Sequence, residues 1–157
     1  MRKRRLALFL CGCVCLTFPT TLSAEDVSVS AEAAVLMEVT SGEIIYARNR
    51  DERLPMASTT KIMTALVAIE NGALSTPVTV DAGAVGVEGS SVYLASGEVL
   101  TLEDLLYSLM LESANDAAAA IAYAIGGDIP GFAAMMNEKA AALGLRDTHF
   151  TNPHGLD

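Results

Sequence analysis

Ala57-Ser58-Thr59-Thr60-Lys61-Ile62-Met63-Thr64-Ala65-Leu66, preceded by Pro55 and closed by Asn71-Gly72, reads as one helix. Apolar residues recur at Ile62, Leu66 and Ile69, with Met63 and Ala65 beside them, which is the period of an amphipathic helix. Ser58 then stands at the N-terminal end and Lys61 comes three residues later. Positions i and i+3 share a helix face, so a hydroxyl and an amine sit side by side at the positive end of the helix dipole. A serine is a poor nucleophile until a base comes within hydrogen-bond reach. A lysine serves as that base once burial or a neighbouring cation lowers its pKa. The plainer alternative is a helix-capping serine followed by an exposed lysine, and Ser-x-x-Lys alone does not choose between them.

Upstream, residues 31–39 and 43–49 are β-prone runs separated by Thr40-Ser41-Gly42, the pattern of a hairpin. Downstream of Gly72 the helical period stops. Pro77-Val78-Thr79-Val80 and glycines at 83, 86, 89 and 97 predict an extended or short-stranded excursion over the surface. Thr101-Leu102-Glu103-Asp104 is a capping-box start with Asp in place of Glu or Gln. Leu102, Leu105, Leu106, Leu109 and Met110 then give a helix its apolar face. Ser113-Ala114-Asn115 interrupts the helical pattern, and an alanine-rich helix follows from Asp116 to the Gly126-Gly127 stop. A last helix over about 131–143 carries Phe132, Met135, Met136 and Ala140 on its buried side, and the tail beyond it is turn-rich. Ser113-Ala114-Asn115 has two readings. It is either an interhelical loop with a capping side chain, or it sets a second hydroxyl and an amide beside Ser58 and Lys61.

The N-terminus is of another kind. Arg2, Lys3, Arg4 and Arg5 precede an apolar run over residues 6–18, then Thr20-Thr21-Leu22-Ser23-Ala24. That is a secretory signal peptide over residues 1–24 with cleavage after Ala24. The apolar run is shorter than the ~20 residues a membrane span needs. All three cysteines (Cys11, Cys13, Cys15) lie in this segment, so the mature part of the chain, residues 25–157, has none to form a disulfide. Four of the ten basic residues also lie there, whereas all nineteen acidic residues follow it. The mature chain is strongly acidic, which argues against nucleic acid and anionic surfaces as partners. His149, His154 and Asp157 sit in turn sequence and do not make an obvious metal-ligand set. No glycine run has the strand–loop–helix context of a phosphate cradle.

Taken together these stretches resemble a known family. Ser-x-x-Lys, Ser-Asp-Asn and Lys-Thr-Gly mark penicillin-binding proteins and class A β-lactamases. Here the first is Ser58-Thr59-Thr60-Lys61 and the second takes the form Ser113-Ala114-Asn115. The low-molecular-mass penicillin-binding proteins that are D-alanyl-D-alanine carboxypeptidases are the branch resembled, and four stretches carry the likeness. They are Ala57 through Leu66 as quoted above, Ser113-Ala114-Asn115-Asp116-Ala117-Ala118, Met136-Asn137-Glu138-Lys139-Ala140, and Phe150-Thr151-Asn152-Pro153-His154-Gly155-Leu156-Asp157. Ala114 departs from the Asp of class A β-lactamases, and no Lys-Thr-Gly occurs in the sequence.

The resemblance implies the α/β (α+β) serine penicillin-recognising, β-lactamase-like transpeptidase fold, in which a five-stranded antiparallel sheet packs with helices and a mostly helical lobe. Residues 25–157 would supply its first two strands and much of that lobe, ending before the strand that bears Lys-Thr-Gly. It implies a serine peptidase that removes the terminal D-alanine from peptidoglycan stem pentapeptides through an acyl-enzyme on Ser58. Lys61 would be the general base, Ser113 the proton relay, and Asn115 the residue that orients Lys61 and the substrate. It implies no metal or other cofactor, β-lactam antibiotics as covalent inhibitors, and a location outside the cytoplasmic membrane. Membrane association would come only through a C-terminal segment beyond this sequence, and without the Lys-Thr-Gly strand the present chain would be weak or inert. The alternatives are a β-lactamase or esterase on the same scaffold and a catalytically incomplete peptidoglycan-binding protein.

Overall fold

The computed structural model describes residues 28–156, in two compact units that divide after Arg48. The signal peptide and its cysteines, the cleavage point after Ala24, and Asp157 lie outside the described residues.

The first unit is the expected hairpin. Strand β1 (Ala34–Met37) pairs antiparallel with β2 (Ile44–Arg48), with Ala34 opposite Arg48 and Leu36 opposite Tyr46 and an irregularity at Leu36/Met37. Its turn is closed by Glu38, whose carboxylate accepts the Thr40 and Ser41 N–H groups while its backbone exchanges hydrogen bonds with Glu43 and Gly42. Val35, Leu36, Met37, Ile44 and Ile45 are all exposed. A two-stranded ribbon has apolar side chains on both faces and nothing of its own to bury them against.

The second unit is a helical bundle with a small sheet against it. A 3₁₀ turn (Ala57–Thr59) leads into α1 (Thr60–Asn71), followed by α2 (Leu102–Leu111), α3 (Asn115–Gly126) and α4 (Ile129–Ala142). The central helix is α3, which packs against α1, α2 and α4. Its first eight residues, Asn115 to Ala122, are all buried, and the run of alanines there lets the neighbouring helices come close. Around it lie Val67, Leu102, Leu105, Leu109, Phe132 and Met136, each fully buried and worth about 1.5–3 kcal/mol of transfer free energy. The helix starts follow local chemistry. Thr101 and Asp104 form a complete capping box on α2, and the Asp128 carboxylate accepts the Gly131 N–H at the start of α4.

Residues 77–101 are short-stranded and mostly exposed, as expected, but β3 (Pro77–Thr79) pairs antiparallel with β4 (Val99–Thr101), and Val78, Val80, Ala84 and Leu94 anchor the stretch in the core. One expectation needs correction. The buried face of α1 is not the Ile62–Leu66–Ile69 stripe. Ile62 and Ile69 are exposed, and Lys61, Thr64, Ala65, Val67 and Ala68 face inward instead. The side of α1 with small and polar side chains packs closest to the bundle, because that is where the other helices and the C-terminal tail approach.

Candidate active site

Ser58 lies in the 3₁₀ turn and Lys61 in the first turn of α1, so the motif straddles the helix start rather than lying wholly inside the helix. The turn is forced. Ala57 has φ +47°, a left-handed conformation that a residue with a Cβ rarely adopts. Ser58 is left exposed, while Lys61 is only 3% exposed. The Lys61 Nζ stands 3.2 Å from Ser58 Oγ and donates to the His154 carbonyl at 3.1 Å. Burial lowers the Lys61 pKa below its ordinary 10.5, because an ammonium loses hydration there.

Ser113 reaches the same point from 55 residues away. It closes the α2–α3 connection with φ +54°, and its hydroxyl donates to Ser58 Oγ at 3.0 Å. Ser58 is therefore flanked by an amine on one side and a hydroxyl on the other. Asn115, at the first position of α3, is 4% exposed. Its Nδ2 donates to the Glu88 carbonyl at 2.6 Å, which settles the orientation of the amide. Its Oδ1 is then the one buried side-chain N or O atom without a hydrogen-bond partner among the described residues. Such an atom is costly to leave unmade. All four residues singled out from the sequence thus lie in one region, with Ser58 in direct contact with both Lys61 and Ser113, and Asn115 two residues beyond Ser113.

Sequence reasoning passed over the tail that closes the site. The Asn152 side chain ties a tight turn together by accepting the His154 and Gly155 N–H groups and donating to the Leu156 carbonyl. Asn137 on α4 grips Phe150 by both its N–H and its carbonyl, at 2.8 Å each. The buried Thr64 hydroxyl donates to the Pro153 carbonyl at 2.6 Å. Gly155 (φ +82°) lies so close that a Cβ there would fall 2.0 Å from the Ala57 carbonyl oxygen. The tail thereby delivers the His154 carbonyl to Lys61. Burial, and then the Lys61 charge, lower the pKa of the His154 imidazole, whose Nδ1 accepts the Leu156 N–H. A backbone carbonyl has no residue signature, so the only available signal was the Phe150–Asp157 likeness itself. Among the described residues no group of three His, Cys, Asp or Glu is placed to hold a metal ion.

The geometry can be set beside known proteins. The family model for D-alanyl-D-alanine carboxypeptidase matches residues 20–157. D-alanyl-D-alanine carboxypeptidase DacF of Bacillus subtilis is 38% identical over 166 residues, covering 98% of this chain and 43% of that protein. Among solved structures, D-alanyl-D-alanine carboxypeptidase DacD from Francisella tularensis aligns with a TM-score of 0.80 at 36% identity, over 85% of this chain and 33% of that one. Penicillin binding protein 5 from Haemophilus influenzae aligns at 0.79 and 34% identity, over 85% of this chain and 41% of that one. The fold is that of the penicillin-binding DD-peptidases. The chain belongs to the D-alanyl-D-alanine carboxypeptidase family. It spans less than half the length of these relatives.

Proposed function

We propose that the protein to which these residues belong is a serine-type D-Ala-D-Ala carboxypeptidase, removing the terminal D-alanine from peptidoglycan stem pentapeptides outside the cytoplasmic membrane. The observation that carries this reading is the buried amine of Lys61 beside an exposed Ser58 hydroxyl, with Ser113 Oγ on the other side. With its pKa lowered, Lys61 spends more of its time as a neutral amine. In that form it keeps its donation to the His154 carbonyl and turns its lone pair to the Ser58 hydroxyl. As Ser58 Oγ attacks the carbonyl carbon of the penultimate D-alanine, Lys61 takes the hydroxyl proton. The peptide C–N bond breaks, and Ser113 relays a proton to the departing amine. Water then hydrolyses the Ser58 ester by the reverse proton path. Asn115, at the start of α3 two residues beyond Ser113, orients Lys61 and the stem peptide. The Ser58 N–H forms half of an oxyanion hole, and one such donor is worth about 10²–10³ in rate.

The activity named for the relatives supports this reading over a β-lactamase or esterase on the same scaffold, and the desolvated Lys61 supports it over a wall-binding protein without chemistry. β-Lactams acylate Ser58 as covalent inhibitors. The basic and apolar N-terminus supports export. The test is intact-mass spectrometry of the whole gene product after benzylpenicillin. We expect a penicilloyl adduct that Ser58→Ala abolishes, formed faster as pH rises toward the Lys61 pKa below 10.5. D-alanine release from a pentapeptide should disappear in the same variant. An adduct that survives Ser58→Ala would sink the nucleophile assignment.

A further inference from the structure

Asp116 is 1% exposed and makes no ion pair among the described residues. A buried charge is expensive unless hydrogen bonds replace its lost water. Here Oδ2 accepts the Ser91 hydroxyl at 2.6 Å and the Leu94 N–H at 3.0 Å, while Oδ1 accepts the Val92 N–H at 3.2 Å and the Ala117 N–H at 2.9 Å. Burial opposes ionisation, but these donors outweigh it and hold the carboxyl below the usual carboxylate range. Three of the four donors belong to residues 91–94, so the charge is spent on fixing a loop.

The residue next to it holds the preceding part of the same loop. The Asn115 N–H donates to the Ser90 carbonyl at 2.7 Å and its Nδ2 to the Glu88 carbonyl. Gly89 (φ +91°) lies flat against the amide, where a Cβ would meet Nδ2 at 2.7 Å. The dependence runs both ways. The Glu88 carbonyl is what keeps Nδ2 occupied and Oδ1 free, and its position depends on the anchoring of residues 91–94.

Building on the carboxypeptidase reading, we propose that Asp116 is a positioning residue. By anchoring residues 91–94 it holds the Glu88 carbonyl where it locks the Asn115 amide, and so fixes the position of Asn115 beside Ser113. Neither Asp116 nor the loop needs to touch substrate for this to set the rate.

The experiment uses Asp116→Asn in the whole gene product, read first without reference to activity. An asparagine offers one acceptor oxygen and turns an amide donor toward loop donors, so the anchor is broken with little change in size. We expect the NMR signals of the Asn115 side-chain amide to shift and to exchange faster with solvent. Benzylpenicillin acylation of Ser58 should fall about 10–100-fold, as a misplaced positioning group allows. That fall should largely vanish in an Asn115→Ala background, because an effect transmitted through the amide is non-additive with its removal. Ser91→Ala, which deletes a single donor, should move all three readouts the same way by less, and it decides the matter if Asp116→Asn does not fold. Loss of Val92 and Leu94 amide protection with an unchanged Asn115 amide would overturn the proposal. So would an equal fall in acylation in both backgrounds. If the unmutated protein is not acylated at all, the enzymatic reading fails, and the amide signals alone still decide whether Asp116 positions Asn115.

Discussion

Two loops converge on the candidate site, and they are held by different physics. The tail over residues 150–156 is gripped by neutral amides and a hydroxyl (Asn137, Asn152 and Thr64), and by a backbone approach so close that residue 155 has no room for a side chain. The loop over residues 88–94 is gripped by one buried carboxylate and the amide beside it. The tail carries a carbonyl that faces Lys61. The loop carries a carbonyl that faces Asn115, and its anchor can be a charge because four N–H and O–H donors surround the Asp116 carboxylate. The tail is thus held by neutral hydrogen bonds and a close fit, and the loop by a buried charge and the amide beside it.

The largest break in this comparison should come from Gly155→Ala. The added methyl collides with the Ala57 carbonyl, and the left-handed backbone gains a Cβ, a strain of about 1–3 kcal/mol. Either the tail or the Ser58 turn must shift, and displacement on an ångström scale costs about 100-fold in rate. Penicillin acylation of the variant measures this, and an unchanged rate would show that the close approach has no bearing on Ser58. Thr64→Val should do less. It leaves the Pro153 carbonyl buried without its donor, at about 1–3 kcal/mol in a denaturation experiment. The tail keeps its Asn137 and Asn152 bonds, so acylation should fall by a smaller factor than in Gly155→Ala. A glycine variant milder than Thr64→Val would reverse the ranking of shape over hydrogen bonding in the tail.

The mildest probe is acid. Asp116 has a folded pKa below its unfolded value near ~3.9. Its contribution is therefore complete above the unfolded value and is lost as pH falls through the folded one. The amides and the hydroxyl that grip the tail do not titrate, and the one tail bond lost on acidification is that from the Leu156 N–H to the His154 imidazole, which gains its proton below the ordinary 6.5. Amide exchange followed downward in pH should show Val92 and Leu94 losing protection while Phe150 and Gly155 keep theirs. Simultaneous loss would mean that the loop and the tail are one cooperative unit and that the contrast between their anchors has no consequence.

Ser58 and Lys61 meet because three residues of near-helical chain bring them together, a local fact visible in the sequence. The Thr101–Asp104 capping box, the buried face of α2 and the Phe132–Met136–Ala140 face of α4 are local in the same way. Ser113 and Asn115 were legible through the family resemblance only, since nothing in their own triplet distinguishes a site from an interhelical loop. The buried face of α1 was misread because the helix carries apolar residues on both sides. Periodicity alone cannot say which of those sides the neighbouring helices cover. The pairing of β3 with β4 escaped because about twenty residues separate two three-residue strands, too short for alternation to register.

What the sequence determined by itself is therefore the set of helices, the hairpin, the acidic character and the chemical identity of the serine, lysine, second serine and amide. Only the tertiary structure decided that Lys61 is desolvated, that its acceptor is the His154 carbonyl, and that the Asn115 amide is held by the Glu88 carbonyl. The physical reason is that those properties belong to backbone groups and to burial. Neither is written in a residue's identity, and both arise when segments as distant as residues 58, 113 and 154 are packed together.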